Sequence, residues 1–127
     1  MSAPAILVVD DNNLNLELVT DLLEMAGYGV RQARTAEEAL SDVRVTRPDL
    51  ILMDIGLPGM DGHAAVKALK QNPETRDIPT VALTAYAMAG DEERARESGF
   101  DGYITKPIQT RLLADTIERL LDRTRHD

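Results

Sequence analysis

Cysteine does not occur among the 127 residues, so neither a disulfide nor a thiolate metal site is open to this chain. Its absence suits a reducing cytoplasm. A long hydrophobic run is missing as well. The start, MSAPAILVVDD, has no basic region before its apolar stretch, and that stretch is too short to span a membrane or to read as a signal peptide. Basic residues are in the minority, 14 against 22 acidic, for a formal charge of −8. Such a chain is poorly equipped to grip a nucleic-acid backbone or an anionic bilayer by charge alone. Any interaction with phosphate requires a bound cation or a few well-placed basic groups. No linker or low-complexity segment divides the chain, and its length fits one domain, 1–127, with a core that needs no staples.

What is present is alternation. Short apolar runs and helical patterns follow one another about five times. Ile6 to Val9 reads as a strand, followed by a helix with apolar positions Leu14, Leu18, Leu22, Leu23 and Ala26 that ends at Gly27. Tyr28 to Ala33 is a second strand made more polar by Arg31 and Gln32. Thr35 and Glu38 form a capping box, the Thr side chain bonding the N–H three residues on and the Glu reaching back. The helix they open carries Ala36, Ala39, Leu40 and Val43 and stops before Pro48. DLILMD is a third strand, followed by the turn GLPGMDG and a helix to about Gln71. PTVALTA is a fourth strand, AGDEERARES a helix with few apolar anchors ended by Gly99, and GYIT a short fifth strand. Arg111 to Arg123 is an amphipathic last helix bearing Leu113, Ile117, Leu120 and Leu121.

Strands that alternate with crossover helices imply an α/β fold, a doubly wound parallel sheet covered on both faces. The uniformly apolar first, third and fourth runs belong in the middle, and the polar second and short fifth at the edges. Right-handed crossovers then favour the order 2-1-3-4-5, with a switch point between strands 1 and 3 at which ligands bind.

Polar groups close successive strands on that rim. Strand 1 ends in Asp10 and Asp11, strand 3 in Asp54, strand 4 in Thr84 and strand 5 in Lys106. Neighbouring strands are about 4.8 Å apart, so the carboxylates should meet within roughly 5 Å. Their repulsion, on the order of 3 kcal/mol per pair at an effective dielectric of about 20, calls for a proton or a cation. A hard divalent ion suits an all-oxygen donor set of Asp11, Asp54 and the Gly56 carbonyl. With its charge offset by metal and by a lysine, Asp54 becomes able to attack phosphorus and hold an acyl phosphate. The long Lys106 side chain is suited to reach it, and the Thr84 hydroxyl to bond a phosphoryl oxygen.

At this point the sequence resembles the response-regulator receiver domains of two-component signalling, the CheY-like superfamily. The resemblance runs nearly throughout, on ILVVDDNNLN, PDLILMDIGLPGMDG, IPTVALTA and GYITKPI, and on DEERARESGFDGYITKPI it points to stand-alone, DivK-like receivers. It implies a flavodoxin-like (βα)5 fold and phosphorylation of Asp54. It also implies Mg²⁺ (or Mn²⁺) bound by Asp11, Asp54 and the Gly56 carbonyl, with Asp10 acting through water. Thr84 and Lys106 would contact the phosphoryl oxygens, the Lys106–Pro107 bond would be cis, and Tyr103 would be the switch aromatic. The positions that govern hydrolysis are Gly56, which leaves water access open, and Tyr86, which shields.

The resemblance also implies a histidine kinase or histidine phosphotransferase as donor. The first helix, read as apolar with a polar outer side, is where the family docks its kinase. The weakly anchored fourth helix is expected to repack on phosphorylation, and a target to read the face of the fourth helix, fifth strand and fifth helix. No output domain is expected, so signalling passes through protein contacts, with the chain a monomer or weak dimer. Catalysis would be limited to its own phosphoryl transfer and dephosphorylation. Rival readings fit less well. A flavin or nucleotide binder needs a glycine- or hydroxyl-rich loop after strand 1, where this chain has two acids. A phosphohydrolase needs an acid two residues after its nucleophile, where Gly56 stands. A pseudo-receiver scaffold would not keep the full residue set.

Overall fold

The computed structural model describes residues 4–55, 62–84, 91–105 and 109–126. Its elements alternate strictly: β1 (Ala5–Val9), α1 (Asn13–Met25), β2 (Gly29–Ala33), α2 (Ala36–Val45), β3 (Leu50–Asp54), α3 (Gly62–Gln71), β4 (Thr80–Thr84), α4 (Asp91–Ser98), β5 (Gly102–Thr105) and α5 (Thr110–His126). The strands form one parallel sheet in the order β2-β1-β3-β4-β5, as the polarity of the runs predicts.

Successive residues of a strand face opposite sides, and the core divides accordingly. Leu7, Val9, Ile51, Met53 and Ala82 pack with the buried faces of α2 and α3 and with Ala95 and Phe100. Ile6, Val8, Leu50, Leu52, Val81 and Leu83 pack under α1 and α5. Both faces are dry, which is why the interior strands read as unbroken apolar runs. Among the described residues, no helix is long and apolar enough to cross a membrane.

α1 is turned differently from the expectation. Leu16, Val19 and Leu23 enter the core, whereas Leu14 and Leu18 are 76% and 51% exposed and Ala26 faces solvent. The helix carries apolar residues on more than one side, so periodicity alone admits two phases. The short loop from β1 and the Asn12 cap, whose side chain accepts from the Asn15 N–H, fix the phase. Instead of a polar outer side, α1 presents Leu14, Leu18 and Met25 along one stripe.

The start of α2 also departs in detail. Thr35 Oγ1 accepts from the Glu38 N–H at 3.1 Å as expected, but Glu38 reaches one residue further back, to the Arg34 N–H. At the rim where β4 and β5 begin, Lys70 Nζ donates to the carbonyls of Arg76 and Ile78 and to Asp101 Oδ2, each within 3.1 Å. Asp101 Oδ2 accepts the Thr80 N–H as well. The clamp leaves room only for glycine where α4 ends: Gly99 has φ +118°, and a Cβ there would lie 2.9 Å from Lys70 Cγ.

Candidate functional site

The carboxyl ends of the strands share one rim, and the acids meet there. Asp10 follows β1 and is 1% exposed; its N–H donates to the Ala33 carbonyl and its Oδ1 accepts the Asn12 N–H at 2.9 Å. Asp11, one residue on, is exposed, and Asp54, the last residue of β3, is half-buried. One carboxylate oxygen from each of the three lies within 4.8 Å of the others. At an effective dielectric of about 20, each such contact costs on the order of 3 kcal/mol, less for those involving exposed Asp11. Three oxygens of graded burial at the switch point between β1 and β3 fit a hard divalent cation.

Thr84 ends β4 and is 3% exposed. The register pairs Asp54 with Leu83, which sets Thr84 one residue beyond, opposite Thr105. Tyr103, paired with Ala82, is half-buried against the core on the α4 side. By the pleat, the Thr84 side chain leaves the sheet on that face too. A threonine at the rim and a tyrosine below it thus share the face that α4 covers. Met53, the residue before Asp54, lies wholly in the core. Gly56, Tyr86, Lys106 and Pro107 lie outside the described residues.

Asn12 and Arg34 are part of this rim and were not singled out from the sequence. Asn12 caps α1 and gives its backbone N–H to buried Asp10. The Arg34 guanidinium bonds the Asn13 side chain, tying the end of β2 to the first residue of α1. An Asn before an apolar-periodic stretch is a cap signal and marks Asn12; nothing in the spacing announces Arg34.

Five parallel strands in this order, with acids gathered at the switch point, define a flavodoxin-like receiver, and the sequence agrees. The chain belongs to the response regulator receiver domain family, whose profile it matches over residues 6–118. It is 47% identical to the polar-differentiation response regulator DivK of Brucella anthropi, over 92% of this chain and 95% of that protein. The receiver domain of a signal transduction histidine kinase from Syntrophus aciditrophicus superposes with a TM-score of 0.88 at 39% identity, covering 94% of this chain and 91% of that one. A receiver domain of a Pseudomonas aeruginosa sensor histidine kinase, solved with a magnesium ion coordinated in its active-site cleft, gives 0.88 at 31% identity, covering 95% and 99%. The protein is a two-component response-regulator receiver, similar to DivK over most of its length.

Proposed function

We propose that Asp54 accepts a phosphoryl group from a phosphohistidine on a kinase or phosphotransferase, and that the modified chain signals through protein contacts. The convergence of Asp10, Asp11 and Asp54 to within 4.8 Å, beside buried Thr84, is the observation that carries this reading. Asp54 and Asp11, with the Gly56 carbonyl, would hold Mg²⁺ or Mn²⁺, and Asp10 would act through water. When bound, the cation offsets negative charge on the carboxylates and on the entering phosphoryl group. An Asp54 oxygen bonds to phosphorus, the P–N bond breaks, and the imidazole leaves and takes up a proton. Thr84 donates its hydroxyl to a phosphoryl oxygen and Lys106 supplies the opposing charge. Gly56 and Tyr86 set how readily water reaches the acyl phosphate. The site of action is the cytoplasm.

The test is direct. In Mg²⁺ and acetyl phosphate the protein should gain the mass of one phosphoryl group, mapping to Asp54, and chelation should abolish the gain. A label on any other residue, or one indifferent to chelator, would sink the reading.

Signal transmission follows from the face shared by Thr84, Tyr103 and α4. Thr84 moves toward the phosphoryl oxygens, Tyr103 fills the space it leaves, and α4 shifts in a pre-existing equilibrium, changing the α4-β5-α5 surface that the target reads. The outer stripe of α1, Leu14, Leu18 and Met25, is the apolar surface offered to a helical phosphodonor. Leu14→Ser with Leu18→Ser should slow transfer from the cognate kinase or phosphotransferase on the order of tenfold. Labelling by acetyl phosphate and the urea midpoint should stay unchanged, since both residues already face water. Equal loss with both donors would remove α1 as the docking element.

A further inference from the structure

α4 is tied to the body of the protein by little. Of its described side chains, only Ala95 and Ser98 are buried, and Phe100 follows just past the helix. His63, the second residue of α3, meets both Ser98 and Phe100. Its Nδ1 lies 2.7 Å from Ser98 Oγ, and its ring stands edge-on to Phe100 with centroids 5.9 Å apart. Ser98 Oγ is also 3.0 Å from the Arg94 carbonyl, the usual back-bond of a helical serine. A hydroxyl has one proton, and that bond uses it. Ser98 therefore accepts from His63, whose proton sits on Nδ1.

The residue before His63 touches the acceptor strand. A Cβ on Gly62 would lie 2.8 Å from Ile55 Cα and 3.1 Å from the Asp54 carbonyl oxygen. One step along α3 thus leads from the backbone at Asp54 to the side chain that holds α4. We propose that His63 is a positioning residue, a latch that bonds Ser98 in the unphosphorylated protein and releases it when α4 shifts. The coupling rests on the reading of Asp54 as phosphoacceptor; the hold on α4 does not. Because the bond belongs to one of two arrangements, removing it favours the other. Any ligand that favours that other arrangement must then bind more tightly, by the same factor.

Two readouts on His63→Phe test this. Phe keeps a ring against Phe100 and removes the donor, and Ser98 keeps its bond to Arg94. Amide exchange across α4, measured in unmodified protein, should quicken roughly threefold to tenfold, the worth of one hydrogen bond. The apparent affinity for beryllofluoride in Mg²⁺ should rise by a similar factor. A merely structural defect would weaken it. Ser98→Ala should match His63→Phe, the two together should add nothing, and His63→Asn, which restores an N–H at the Nδ1 position, should return both values toward wild type. Unchanged α4 exchange, faster exchange through the whole chain, or unchanged or weaker beryllofluoride binding would overturn the latch. Wild-type protein that ignores beryllofluoride while His63→Phe loosens α4 alone would overturn the phosphoacceptor reading and its coupling, and keep His63 as the hold on α4.

Discussion

Asp54→Asn should abolish labelling by acetyl phosphate and, in the absence of metal, make the protein more stable. The two effects have one origin. Three carboxylate oxygens within 4.8 Å of one another repel in the folded state and separate when the chain unfolds. Turning one into an amide removes repulsion on the order of 3 kcal/mol per pair at an effective dielectric of about 20. Asp11 is exposed and Asp54 only half-buried, so solvent screening reduces the net gain to about 1 kcal/mol. The sign is opposite to that of most core substitutions. Urea unfolding in chelator should therefore show a higher midpoint for Asp54→Asn than for wild type, with the slope unchanged. Adding Mg²⁺ should raise the wild-type midpoint, because a cation that binds only the folded state stabilises it, and should raise that of the variant less. If Asp54→Asn is less stable than wild type without metal, the acids are not in electrostatic conflict and the case for a cation there fails.

Gly62→Ala should damage both stability and chemistry. α3 begins against the end of β3, where the added methyl would sit 2.8 Å from Ile55 Cα, 3.1 Å from the Asp54 carbonyl oxygen and 3.3 Å from Ile55 Cγ2. The first two are backbone atoms and cannot turn aside, so either the helix or the residues around Asp54 must shift. Overpacking of this kind costs about 2–3 kcal/mol. Displacement of a nucleophile by a fraction of an ångström slows reaction steeply, so labelling by acetyl phosphate should fall about tenfold or more. Gly27→Ala is the control. Gly27 has φ +98° and nothing within 4 Å of its missing Cβ, so alanine strains only the turn after α1. That variant should lose about 1–2 kcal/mol and label at the wild-type rate. Normal labelling by folded Gly62→Ala would mean that the acceptor strand does not depend on this contact.

The strand order and the gathering of acids were legible because they follow from a few strong constraints. Apolar runs without alternation must be buried on both faces, right-handed crossovers permit few orders, and parallel strands deliver their last residues to one rim. The acids just after β1 and at the end of β3 then had to meet. α1 was misread because its leucines and valine surround more than half the helix, and the phase is decided by a short loop and a cap. The reach of Glu38 to Arg34 rather than to Thr35 is a matter of rotamers, which residue spacing does not encode. His63 and Ser98 stand 35 residues apart. Neither looks unusual alone, and only the packing of α3 against α4 joins them.

The clamp of Lys70, Asp101 and Thr80 lies where β4 and β5 begin, at the margin of the sheet away from Asp54. One tie between α3 and the sheet is thereby set at the end of β4 and β5 opposite Thr84, whereas around Asp54 and Gly62 stability and chemistry share the same contacts.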